Sequence, residues 1–339
     1  MKPIAAIFIL LLAIGHAAEE RTWTGTDGRT MVATIVSADA QNVTVERAGQ
    51  RFVVPLANLS NLDKVYVEAW LDKQERGAEP APGAAPGAAA AAPPGGLTFD
   101  GKPLLTGGKV NTYEYEYDPV RLELVKKKLK GEDTGYKITL AVPADFDPAK
   151  PQKVFIVNTA VNNPQQGRAG NAGIMSFFSK QCVQNGWVCL AYDSNIGRPN
   201  HDADLYAACD KLNAVWPQFR TWTFAVGGFS GGAKACFWPC AYLLKNEYKV
   251  AGAFLAGCNE DKSQEGREAN KTPKSAYKAL KVFLSTRNMD KPEAVSEGNR
   301  VADSLKRNGM PNVRHELHPN AQSLNYDHFI AALKWFAEP

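Results

Sequence analysis

Outside its first seventeen positions the 339-residue sequence has no run approaching eighteen apolar residues, which excludes a membrane-spanning helix there. It also has no strong charge of either sign. Thirty-nine basic residues face 35 acidic ones, a net +4 that falls to +3 without Lys2, too little to imply nucleic acid or an anionic membrane as a partner. There is no paired CxxC, no phosphate-binding glycine loop and no His/Asp cluster at ligand spacing, so no metal and no other cofactor is expected. Histidine is scarce. Of five, only His201, His315, His318 and His328 lie beyond the first seventeen residues, so any imidazole chemistry has four candidates. Apolar residues are not scarce: at 45% hydrophobic and 10% aromatic, the chain has ample material for a packed core.

Lys2, the apolar stretch Ile4–Ile14 and the small residues around Gly15-His16-Ala17 read as a secretory signal over residues 1–17, so an exported protein is expected: periplasmic, extracellular or at the cell surface. Six cysteines, Cys182, Cys189, Cys209, Cys236, Cys240 and Cys258, are confined to one stretch. In an oxidising compartment they can form up to three bridges; their apolar neighbours equally suit buried thiols.

From Gly77 to Gly96 only Gly, Ala and Pro occur apart from Glu79, and five prolines keep that segment extended. Nothing there can pack, so residues 77–97 are expected to be a semi-stiff linker with a reach of roughly 60 Å. Before it, MVATIV, NVTVER and RFVVPL alternate with period two between turn signals, and SNLDKVYVEAWL reads as a short amphipathic helix presenting Val65, Ala69 and Trp70. Short strands in about fifty residues suggest a small SH3-like barrel. Trp23, Asp27-Gly28-Arg29, Ala33, Val43, Val54-Pro55-Leu56, Leu59-Ser60, Asp63 and Tyr66 give residues 19–74 their character. In these features the segment resembles the Sla-one homology domain of the first type. That resemblance implies a binding fold and a possible protein partner through residues 19–74.

After the linker the rhythm changes. KITLAVP, KVFIVNT, WVCLAYD, TFAVGGF, VAGAFLAG, KVFLSTR and VRHELHP are apolar β-type runs, with helices expected at 201–214, 231–245, 292–308 and 325–337. Strands apolar on both sides and separated by helices predict an α/β domain over 98–339, a mostly parallel sheet with helices on both faces. Its functional groups belong at the carboxyl ends of the strands.

Gly228-Phe229-Ser230-Gly231-Gly232 lies between the run TFAVGGF and a helix. Glycines flanking a serine at a strand-to-helix turn suit a strained elbow that exposes the hydroxyl, with the Gly231 N–H placed to hold an oxyanion. The bland alternative is a serine that merely caps the helix. Here the region resembles the α/β-hydrolase family, chiefly its secreted esterase and peptidase-like members. The resemblance implies Ser230 as nucleophile, an acid after a later strand and a histidine after the last one. Asp290 fills the acid position, though it equally suits a helix N-cap. The expected base is His328, with His318 as runner-up; the family spacing falls instead on Gln322, which cannot accept a proton. Where the family carries His-Gly this chain has Asn158-Thr159-Ala160, from which Ala160 can supply a second oxyanion N–H. Asn158, Thr159, His201 and Gln322 are expected to line the substrate, a small ester or amide, a glycan or a peptide. The loop Asn162–Gly173 is polar enough to contact it. Two functions follow as expectations: an exported serine hydrolase tethered to a binding module, or an inactive hydrolase-fold binding or adaptor protein.

Overall fold

The computed structural model describes residues 20–27, 29–39, 41–59, 63, 67, 70, 96–128, 134–158, 174–194, 201–288, 292–319 and 324–338. The chain divides into two compact units, residues 1–88 and 89–339. The signal segment and most of the linker, up to residue 95, lie outside the described residues.

In the first unit, β1 (Glu20–Thr24), β2 (Thr30–Ala38), β3 (Asn42–Arg47) and β4 (Gln50–Pro55) pair in sequence order as an antiparallel sheet. Alternation buries Ala33, Ile35, Val43 and Val45 on one side with Trp23, Leu59 and Val67. The Trp23 indole N–H donates to the Ala33 carbonyl at 2.9 Å. Asp63, buried, accepts from Arg21 at 2.6 Å and from the Thr24 N–H at 2.7 Å, so its charge is neutralised where water is absent. An SH3-like barrel was the expectation. Among the described residues there is a four-stranded antiparallel sheet, with one bridge joining Gly25 to Leu59. The helical residues described at 63, 67 and 70 turn Asp63 and Val67 inward; Val65 and Ala69 lie outside the described set.

The second unit opens with a two-stranded ribbon, β5 (Thr98–Phe99) and β6 (Lys102–Pro103). Its main sheet contains β7 (Val110–Glu116), β8 (Gly135–Ala141), β9 (Lys153–Val157), β10 (Val188–Ser194), β11 (Thr223–Phe229), β12 (Lys249–Ala256), β13 (Lys281–Arg287) and β14 (Asn312–His318). Their order is β7-β8-β10-β9-β11-β12-β13-β14, and β8 alone runs against the rest. The helices are α1 (Pro119–Glu123), α2 (Ser176–Gln184), α3 (His201–Val215), α4 (Gly231–Ala235), α5 (Phe237–Lys245), α6 (Ser263–Asn270), α7 (Pro292–Arg307) and α8 (Tyr326–Ala337). The α/β architecture expected from the fully apolar strands is present.

Neighbouring strand residues fall into opposite cores, as a sheet buried on both faces requires. Val154 and Ile156 pack with α3, α5 and α7, whereas Phe155 and Val157 pack with α2 and α8. Phe329 of α8 sits 4.8 Å from Phe155, 5.0 Å from Phe178 and 5.0 Å from Phe254, ring centre to ring centre. Each such pair adds about 0.5–1.5 kcal/mol beyond the area it buries. Close approach of α8 depends on Gly252, where a Cβ would stand 2.2 Å from the Phe336 ring.

The helix expected at 231–245 is interrupted at Cys236. Pro239 has no N–H for the Ala235 carbonyl, so the ladder breaks and restarts. All six cysteines are free, buried thiols. Burial pushes Cys240 up to about 12 and Cys258 up to about 11, so both stay protonated and unreactive near neutrality.

Candidate active site

Strands β9, β11 and β12 end together, and their ends are held in register by backbone bonds. The Asn158 N–H donates to the Gly227 carbonyl and the Ser230 N–H to the Ala256 carbonyl, both at 2.8 Å. Gly228 lies against the chain leaving β9. A Cβ there would come within 2.3 Å of the Asn158 carbonyl oxygen and 3.1 Å of the Gly232 carbonyl carbon. The first glycine of the motif is thus required by close approach of two backbones.

Ser230 then takes φ 54° and ψ −122°, the conformation of the first central residue of a type II′ turn, a place glycine normally fills. In a serine this costs about 1–3 kcal/mol. The side chain is exposed and makes no capping bond to α4, so the capping explanation of the motif fails. No hydrogen bond joins Ser230 Oγ to any described residue. Gly231 begins α4, where the N–H has no partner within the helix.

The histidines are disposed by strand alternation and by the return of α8 across the sheet. His315 points toward α7, its Nε2 3.0 Å from Thr286 Oγ1. Glu316 and His318 point the other way, where α8 brings His328 in its first turn. His328 Nδ1 lies 2.9 Å from Ser285 Oγ, and Nε2 lies 3.4 Å from Glu316 Oε2. Both contacts are satisfied when the Ser285 hydroxyl donates to Nδ1 and the Nε2 proton faces the carboxylate. The N-cap side chain Asn325 accepts the His328 backbone N–H at 3.0 Å and fixes the helix start. Burial lowers the His328 pKa, opposed by Glu316 and Asp327.

His318 is edge-on to His328, ring centres 5.2 Å apart, and is 1% exposed. Among the described residues, neither of its nitrogens has a hydrogen-bond partner. Burial, then His328 and Arg287, bring its pKa down to about 4, so the ring is neutral at physiological pH. Asn158, also 1% exposed, likewise has no partner among the described residues for either side-chain amide atom.

The structure therefore brings together Ser230, Gly231 and Asn158 at the ends of β9 and β11, and separately His318 and His328 at the end of β14. It shows no hydrogen bond between the two groups. His201 opens α3. Thr159, Ala160, Asp290, Gln322 and the loop 162–173 lie outside the described residues. Ser285 and Glu316 were not anticipated as partners of His328. Their in-register pairing across β13 and β14 puts them side by side, and no local motif announces it.

No family model and no curated relative matches the sequence. Solved structures with a resembling chain path exist at low identity. An acyl-protein thioesterase of Zea mays is 12% identical, with a TM-score of 0.39 over 58% of this chain and 96% of that one. An esterase from the planctomycete Thermogutta terrifontis is 18% identical, with a TM-score of 0.36 over 67% and 94%. A Pyrococcus furiosus esterase is 13% identical, with a TM-score of 0.40 over 67% and 90%.

Proposed function

We propose that residues 98–339 are a serine hydrolase of the α/β-hydrolase family, exported and joined to an N-terminal module that binds a protein partner. The carrying observation is the strained turn at Ser230. A serine held at positive φ between a strand and a helix, its hydroxyl exposed and not capping, has a conformational cost that a structural serine does not incur. In this reading Ser230 Oγ attacks the carbonyl carbon of a small ester or amide, and the Gly231 N–H stabilises the oxyanion. The alcohol or amine leaves with a proton from the imidazole, and water then releases the acyl group.

The proton acceptor in this scheme is His328, with Asp290 as the carboxylate and His318 as the alternative base. The two rings differ in what each must give up. His328 would have to exchange the Ser285 hydroxyl for that of Ser230, whereas His318 has no hydrogen bond to lose among the described residues but must reach the site from within the core.

The engagement of His328 by Ser285 and Glu316 favours a second reading, a hydrolase-fold binding protein with no working base. Labelling with a fluorophosphonate and hydrolysis of p-nitrophenyl acetate separate the two. The enzyme reading expects labelling that Ser230→Ala abolishes, and a kcat lowered by orders of magnitude in whichever of His328→Ala and His318→Ala removes the base. Folded protein that neither labels nor turns over belongs to the binding reading.

A further inference from the structure

A cleft of about 510 Å³ lies beside α4, between the loop that follows β12 and the outer face of α7. Its walls carry Lys234, Glu260, Asp261, Arg300, Ser304 and Arg307. Positions 300, 304 and 307 follow the helical repeat and share one side of α7, so two guanidinium groups flank a hydroxyl along a single stripe.

The two acids of the cleft are committed. Glu260 receives Lys262 at 2.6 Å and Lys234 at 3.6 Å, and the Lys262 hydrogen bond holds its carboxyl below the usual range. Asp261 accepts the Ser263 N–H on Oδ1 and the Asn308 amide on Oδ2, each at 2.8 Å. Among the described residues the arginines are not ion-paired. Arg300 donates to the Asn259 carbonyl at 3.2 Å, and among the described residues no carboxylate lies within ion-pair distance of Arg300 or Arg307.

A guanidinium presents a planar fork of N–H donors and keeps its charge at every working pH. Two such forks on either side of a hydroxyl suit a tetrahedral oxyanion, whose non-bridging oxygens each accept more than one hydrogen bond and so can be shared between the forks and the hydroxyl. The volume exceeds that of the bare ion and leaves room for a carrier the size of a sugar. We propose that the cleft lined by Arg300, Ser304 and Arg307 binds a phosphate or sulfate group carried on a small molecule, at a site separate from Ser230.

The test is calorimetric titration of the full chain with inorganic phosphate, sulfate and acetate at matched ionic strength, repeated for Arg300→Gln, Arg307→Gln, the double variant, and Lys306→Gln as a neighbouring charge control. Saturable binding of phosphate or sulfate is expected, at least tenfold weaker in each arginine variant, as loss of one charged hydrogen bond implies, and unchanged in Lys306→Gln. Tighter phosphate identifies the carrier as a phosphate ester, tighter sulfate as a sulfate ester. Both guanidinium groups are exposed, so the variants should keep the parent thermal midpoint. Three results overturn the proposal: no saturable binding, preference for acetate, or equal weakening by Lys306→Gln. The Ser230→Ala protein should bind as the parent does, so failure of the hydrolase reading leaves this result standing.

Discussion

Replacing Ser230 by glycine should stabilise the protein while removing its proposed nucleophile. At φ 54° and ψ −122° the serine Cβ is held where L-residues rarely go, at a cost of about 1–3 kcal/mol that glycine does not incur. Against this stands the extra freedom glycine gains in the unfolded chain, about 0.5–1 kcal/mol. The lost hydroxyl takes no hydrogen bond with it, since Ser230 Oγ has no partner among the described residues. The net expectation is a gain of about 1 kcal/mol. For a unit of about 250 residues that raises the midpoint of its thermal transition by roughly 2–4 °C. Ser230→Ala is the essential comparison, because alanine keeps the Cβ and therefore the strain, and should melt within about 0.5 kcal/mol of the parent. Differential scanning calorimetry of the three proteins gives the ranking directly. A glycine variant no more stable than the alanine variant would refute the claim that the elbow is strained.

Acid should destabilise the fold through the buried imidazoles. His318 titrates near 6.5 when unfolded and about 4 when folded, so its contribution is fully present above pH 6.5 and disappears as pH falls toward 4. The amount is on the order of 3 kcal/mol, with His315 and His328 shifted in the same direction. Urea midpoints at pH 7.5 and 4.5 should converge in His318→Leu relative to the parent, and an unchanged difference would mean that the ring is not held neutral. Gly228→Ala forces a Cβ to within 2.3 Å of the Asn158 carbonyl oxygen. It should cost about 1–3 kcal/mol in urea unfolding and abolish any Ser230-dependent labelling, and full retention of both would show that the elbow tolerates a side chain there.

The local parts of this structure were legible from the residues alone. TFAVGGF and KVFLSTR form strands over the expected residues, and α3, α7 and α8 begin and end within about a residue of where periodicity and capping put them. These are properties of short stretches, set by alternation, turn residues and apolar spacing. The elbow belongs with them, because glycines on both sides of a serine at a strand-to-helix junction permit the close backbone approach that the tight turn needs. Even the break at Cys236 was in the sequence, in Pro239, whose missing N–H outweighs the helical pattern around it.

What the sequence could not decide is which distant residues meet. That β10 is inserted between β8 and β9 follows from pairing over long loops, not from any property of WVCLAYD. His328 and His318 are ten residues apart in the chain, yet they face each other because α8 folds back over β13 and β14. Ser285 and Glu316 reach His328 because parallel pairing sets residue 285 beside residue 316, and a shift of one residue would turn both to the opposite face. Arg300, Ser304 and Arg307 look like an ordinary solvated helix face until the loop after β12 closes the other wall of the cleft. Short-range sterics and burial period are written in each segment. The company a polar side chain keeps depends on register and packing across the whole sheet, and only the folded chain fixes those.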